Sequence, residues 1–307
     1  MKIATTTADF SGYFSSDVDL LKQLHLAGFK HVDLSLYSVQ KINSVYSDDN
    51  YALEVENLKN TAEKLNIDFV LAHLPGDNGA NPIVRNEKFN DYLKATLRSI
   101  EICGMLGIKH AVYHLGLERG LSKEESFIKN HEFLKLLFPT LEKWGVTILA
   151  ENSTGKNTYD IYYPNSGKDL KEFVDYVNHK NVGACWDTGH ANCEGSQYDD
   201  ILALGNSLKA IHYNDNHGEC DEHVIPYLGT LNHDEVISAL IDVNYNGYFT
   251  LEATSSLVKP CGWPHKRREF EKSNKLANAP LFIQQDLEKL MFKTAKYLLE
   301  TYGVYEE

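Results

Sequence analysis

Apolar residues in this chain gather into two kinds of stretch. Short runs rich in Val, Ile, Leu and Phe have the length of buried strands, and longer stretches repeat apolar positions every three or four residues, as an amphipathic helix does. The short runs predict strands over 2–7, 31–35, 69–73, 110–114, 147–151, 182–187, 208–212 and 248–252. Helices are predicted between them, over 17–26, 51–65, 87–106, 122–142, 169–177, 199–204, 234–241 and 283–302. The boundaries carry matching chemistry. Ser15 or Ser16 stands at an N-cap position with Gly28 just past the same helix. Ser122-Lys-Glu-Glu125 has the spacing of a capping box, and Gly107 sits where a left-handed C-terminal residue is wanted.

Strands and helices therefore alternate strictly, eight of each, with no linker between them. Six strands in succession end on a residue able to bind a divalent metal: His73, His114, Glu151, Asp187, His212 and Glu252. One such ending is ordinary where a strand meets solvent. Six imply parallel strands whose C-terminal ends converge, which is the architecture of a single (β/α)8 TIM barrel with its active site at that end. A doubly wound sheet shares the alternation but does not bring six strand ends to one point. No Gly-x-Gly-x-x-Gly follows the first strand, which counts against dinucleotide binding. One domain is expected over 1–307, with loop insertions near 75–85 and 253–280.

Composition narrows the picture modestly. Hydrophobic content of 43% with 24% charged residues is enough for a full core. A net charge of −13, from 30 basic and 43 acidic residues, disfavours a partner held by phosphate neutralisation, so a nucleic acid is not expected. There is no apolar run long enough to span a bilayer, and the start lacks a signal-peptide pattern. Five cysteines without a Cys-x-x-Cys pair suit a reduced protein, expected in the cytoplasm.

Two further groups extend the candidate ligand set. Asp187-Thr-Gly-His190 sets an imidazole three residues beyond a strand-end carboxylate, and Asp221-Glu-His223 follows the seventh strand. Together with the strand ends these make nine candidate ligands, four carboxylates and five histidines. Mixed nitrogen and oxygen donors suit zinc or manganese best, leave cobalt, iron and magnesium open, and argue against calcium. One site is expected on Glu151, Asp187, His212 and Glu252; His73, His114, His190, Asp221 and His223 would add up to two more, or touch substrate. Each alone has a plainer reading, as a strand-end histidine bonded to a carbonyl or, for Asp187, as a turn or N-cap residue.

The order Glu151, Asp187-Thr-Gly-His190, His212, Glu252 resembles the xylose-isomerase-like TIM barrel superfamily over essentially the whole chain. Its most specific pieces are Val182-Gly-Ala-Cys-Trp-Asp-Thr-Gly-His190 and Ile211-His-Tyr-Asn-Asp215. The resemblance to its ketose 3-epimerases implies a metal held by Glu151, Asp187, His212 and Glu252, with His190 touching substrate. Resemblance to its endonuclease IV branch implies three zincs on all nine residues. Leu115-Gly116 after His114, where that branch has Pro-Gly, departs from the nuclease pattern.

The expected activity is a metal-dependent isomerase or epimerase of a sugar, sugar phosphate or polyol. Glu151 and Glu252 would remove and return a proton beside a carbonyl, with His190 assisting. The alternatives are a related dehydratase, an endonuclease IV-like zinc phosphodiesterase, or a non-catalytic sugar-binding barrel, which loss of a glutamate would have favoured. Trp263 and Trp186 are the aromatic residues expected at the substrate, and Lys266-Arg267-Arg268 is the one notable basic cluster, read first as a solvated loop. Self-association is left open.

Overall fold

A computed structural model describes residues 1–37, 39, 44–76, 81–159, 161–257 and 279–307. Eight strands form one closed barrel in chain order: β1 (Lys2–Thr6), β2 (His31–Ser35), β3 (Asp68–His73), β4 (His110–Tyr113), β5 (Thr147–Glu151), β6 (Val182–Asp187), β7 (Leu208–Tyr213) and β8 (Tyr248–Leu251). Every neighbouring pair is parallel, and β8 closes on β1 through Lys2↔Tyr248 to Thr5↔Leu251. The expected (β/α)8 barrel is what the chain forms. His114 and Glu252 stand one residue beyond their strands, and the other four strand-end residues terminate theirs or, for His212, come one position earlier.

The helices around it are α1 (Asp17–Ala27), α2 (Tyr51–Leu65), α3 (Phe89–Leu106), α4 (Lys123–Trp144), α5 (Gly155–Thr158), α6 (Gly167–Val177), α7 (Thr188–Asn192), α8 (Tyr198–Leu204), α9 (His233–Asp242) and α10 (Leu281–Thr301). One-to-one alternation does not hold. The short helices α5 and α7 follow β5 and β6 directly, because Thr154 and Asp187 each turn a side-chain oxygen back to a backbone N–H and nucleate a turn at the strand end. Most of the predicted caps are present: the Ser122–Glu125 box is reciprocal, and Gly28 and Gly107 are left-handed, while Ser16 holds the N-cap position of α1 without a side-chain hydrogen bond to it.

Two apolar layers result from strand alternation. Residues facing outward, such as Val32, Leu34, Ala111, Tyr113, Ile148 and Ile211, join the large core shared with the helices. The inward set is a separate small cluster of Leu71, Val112, Leu149, Cys185 and Ala210 that fills the barrel interior. Of the predicted insertions, 75–85 is described apart from 77–80, and 253–280 only at 253–257 and 279–280. Trp263, Cys261 and Lys266-Arg267-Arg268 lie outside the described residues.

Candidate metal centre

The interior plug fixes where the ligands point. Leu71, Val112, Leu149, Cys185 and Ala210 each lie two positions before His73, His114, Glu151, Asp187 and His212, and Thr250 precedes Glu252 in the same way. A strand repeats its facing every two residues, so these six side chains continue the same inward rows one layer higher, at the C-terminal rim. There they meet a cavity of about 1030 Å³ lined by His73, His114, Glu151, His190, Asp221, His223 and Glu252, with Asp187 and His212 fully buried at its edge.

The histidines are tethered in a consistent way. The Nδ1 of His73 lies 2.9 Å from the Leu74 carbonyl, that of His190 3.0 Å from the Asn152 carbonyl, and that of His223 2.8 Å from the Glu252 carbonyl. A carbonyl only accepts, so in each ring Nδ1 carries a proton; Nε2 of His73 keeps its lone pair, whereas Nε2 of His190 and of His223 faces the accepting Asp221 carboxylate and, in the metal-free protein, is protonated too. Against the burial that opposes charge, Asp187 and Asp221 raise the His190 pKa to about 10, and Asp221 raises that of His223 well above the ordinary imidazole value. His212 is reversed: its Nδ1 lies 2.5 Å from Glu151 Oε1 and its Nε2 3.6 Å from the buried Asp33 carboxylate. Anchoring one ring nitrogen while presenting the other is how metal-binding imidazoles are held.

Carboxylates bridge the rings. Glu151 turns Oε1 to His212 and Oε2 to His114, at 2.5 and 2.7 Å. Glu252 Oε2 is 3.3 Å from His212 Nδ1, so carboxylates from β5 and from just past β8 converge on one nitrogen. Asp187 caps α7 through His190 N at 2.7 Å and is steadied by Asn214 Nδ2 at 2.8 Å, so it is both N-cap and rim carboxylate. Asp221 spans His190 Nε2 and His223 Nε2, each at 3.0 Å.

Charge and burial then set protonation. Burial, with help from His114, lowers the His73 pKa to about 3, leaving that ring neutral, the form that ligates. Burial opposes charge on Glu151, but the His212 and His114 rings outweigh it and hold its carboxyl well below the usual carboxylate range. Burial pushes Glu252 up to about 7, against the pull of His212 and His223.

Potential ligand atoms fall into sets within 4.8 Å of one another: Glu151, Asp187, His212 and Glu252; His73, His114 and Glu151; and Asp187, His190 and His223. Donors of a tetrahedral zinc stand roughly 3.3 Å apart, given bonds of about 2.0–2.1 Å. The donor chemistry and the spacing fit a divalent ion of the zinc or manganese type at the first set; the other two would take further ions, the Asp187–His190–His223 set by displacing the protons that His190 and His223 hold toward Asp221.

Three supporting residues escaped the sequence reading. Asp33 alternates with Val32 and Leu34 as a solvent-facing position would, yet both faces of a barrel strand are buried and it points at His212. Asn152 bonds the backbone of Asp187 on both sides, accepting from its N–H at 2.7 Å and donating to its carbonyl at 3.0 Å. Asn214 packs so closely that a Cβ on Gly189 would fall 1.8 Å from its Oδ1. One expected residue is displaced. Trp186, expected at the substrate, is fully buried between barrel and helices, its Nε1 donating to Gln197 Oε1 at 3.1 Å. The two-residue period requires this, since Cys185 and Asp187 on either side face inward.

A model of the family described as xylose isomerase-like TIM barrel matches residues 21–274. The chain belongs to that family. A D-psicose 3-epimerase from Ruminiclostridium cellulolyticum is 26% identical to it over 67% of this chain and 69% of that protein. A probable endonuclease 4 from Nitrosopumilus maritimus is 30% identical over 54% of this chain and 63% of its own length. The chain thus spans about two thirds of the length of these curated relatives. Among solved structures, an IolI protein with a bound zinc atom superposes with a TM-score of 0.70 at 19% identity, covering 100% of both chains, a likeness of fold. In this xylose isomerase-like barrel all nine candidate ligands stand at one rim.

Proposed function

We propose that this chain is a divalent-metal-dependent isomerase or epimerase of a small carbohydrate or polyol. The observation that carries the reading is the convergence of Glu151 and Glu252 on His212 Nδ1, at 2.5 and 3.3 Å, at the edge of an open cavity. Two carboxylates brought in from strands five and eight are what an exchange of a carbon-bound proton needs: one takes it from the carbon beside a carbonyl, the other returns it. Glu151, Asp187, His212 and Glu252 would hold the ion, which when bound supplies Lewis-acid polarisation of the substrate carbonyl and adjacent hydroxyl. His190, fixed through Nδ1, presents Nε2 beside Asp221 to a substrate hydroxyl. The D-psicose 3-epimerase among its relatives supports the substrate class. No described helix is long and apolar enough to cross a membrane. The cysteines among the described residues are unpaired, in keeping with work in the cytoplasm.

A second reading is favoured by the two outer donor sets, His73–His114–Glu151 and Asp187–His190–His223. Three ions together would suit a phosphodiesterase, the class named by the probable endonuclease 4. The net charge of −13 weighs against a protein that grips duplex DNA.

The deciding experiment measures solvent deuterium wash-in on a panel of ketoses and polyols, alongside cleavage of an abasic duplex. Deuterium at a single substrate carbon, lost in both Glu151→Gln and Glu252→Gln, is the expected result. Efficient duplex cleavage with no exchange on any sugar would overturn the proposal in favour of the second reading.

A further inference from the structure

Asp221 and His223 ride on the loop that leaves β7, and its conformation is not one the chain adopts freely. His223 has φ 49° and Tyr227 φ 76°, both in the left-handed region that side chains other than glycine disfavour. Such strain persists only where the surroundings over-determine it. The surroundings here centre on one side chain. Asp215 is fully buried, and its carboxylate accepts four backbone N–H groups: Asn216 at 2.8 Å and Leu231 at 2.9 Å on Oδ1, Tyr227 at 3.1 Å and Gly229 at 2.9 Å on Oδ2. Its backbone adds a reciprocal antiparallel bridge to Val224, at 2.9 and 3.0 Å, immediately after His223. The return limb lies so close that a Cβ on Gly229 would fall 2.3 Å from Asp215 Oδ1 and 2.2 Å from the Asn216 carbonyl.

We propose that Asp215 is the positioning residue of the Asp221–His223 arm. Its carboxylate holds both limbs of the loop, and so sets Asp221 between His190 and His223 and turns His223 toward the rim. Asp215 touches none of the candidate ligand atoms itself. It acts through the loop, using all four acceptor positions of a carboxylate. An amide cannot replace it, because Asn would set an N–H₂ group against two backbone donors. The part of the test that uses metal rests on the metal-centre reading; the part that uses the imidazole does not.

The experiment compares the full-length wild type with Asp215→Asn and, in case that variant fails to fold, with Gly229→Ala, which displaces the return limb while leaving the carboxylate. The imidazole Cε1–H resonances of His223, His73 and His212 are assigned by their loss in single alanine variants. In Asp215→Asn the His223 signal should move to the position of a solvent-exposed histidine while those of His73 and His212 stay. With zinc as the probe, the site lost in His223→Ala should weaken roughly 10- to 100-fold in Asp215→Asn, as loss of an orienting group does, with the site lost in His212→Ala unchanged. Adding Asp215→Asn to His223→Ala should cost nothing further at that site. An unmoved His223 resonance overturns the proposal, and so does a shift of all three histidines together, which would mark a merely structural role. If His223→Ala removes no zinc from the wild type, the metal-centre reading of the arm fails and the His223 resonance alone decides.

Discussion

Asp33→Asn separates two roles that a buried carboxylate can combine. Asp33 is fully buried on β2, and among the described residues neither of its oxygens has a hydrogen-bond partner; the His212 ring lies 3.6 Å away. At that distance the attraction of two unit charges is about 4–5 kcal/mol at an effective dielectric of about 20. Withdrawing the carboxylate from water costs several kcal/mol, so the two terms nearly cancel. His212 keeps Glu151 and Glu252 as neighbours when Asp33 is neutralised, so it is not stranded. The expected effect on the metal-free protein is a change within about 1–2 kcal/mol, of either sign. Metal binding should respond differently. With metal on Nδ1, the carboxylate orients the ring from behind, and losing such a partner weakens affinity about 10- to 100-fold, roughly 1.4–2.7 kcal/mol. Urea unfolding of the metal-free proteins gives the first quantity, and zinc competition with a chromophoric chelator the second. A loss of more than about 3 kcal/mol in stability with unaltered zinc affinity would refute the argument and make Asp33 a fold residue.

Two further outcomes follow from buried polar groups. Asn152→Ala strips both hydrogen bonds from the Asp187 backbone inside the barrel, and at about 1–3 kcal/mol for each stranded group should lower the urea-derived stability by about 2–5 kcal/mol; a loss under about 1 kcal/mol would mean water replaces the amide. Asp9, bonded to Thr5 Oγ1 at 2.6 Å, is pushed by burial up to about 7 from 3.8, and Glu288 beside it is raised by burial and by Asp9. The folded chain therefore holds this proton more tightly than the unfolded one, so the contribution to stability is full below about pH 4 and is lost as pH rises to about 7. Asp9→Asn should flatten the stability profile between pH 5 and 8 relative to wild type, and an unchanged slope would count against a buried proton there.

The sequence by itself determined the barrel and most of its rim. The two hydrophobic periods are local properties, and six strand ends of one chemical kind leave few ways to arrange eight β/α units. Tertiary structure decided whatever depends on which face of a strand is covered. Asp33 and Trp186 show what the local pattern leaves open: a polar residue in a barrel strand points into the protein as readily as an apolar one, and an aromatic beside a ligand points away from it. The extra turns α5 and α7 were invisible because a side chain's choice between capping and binding depends on its neighbours; Asp187 does both. Which ring nitrogen of each histidine faces the rim was likewise undecided until the chain had folded, since it is set by the carbonyls of Leu74, Asn152 and Glu252 and by the Asp33 carboxylate. The residue types were legible because chemistry is carried by side chains; their orientation was not, because it is imposed by partners distant in sequence.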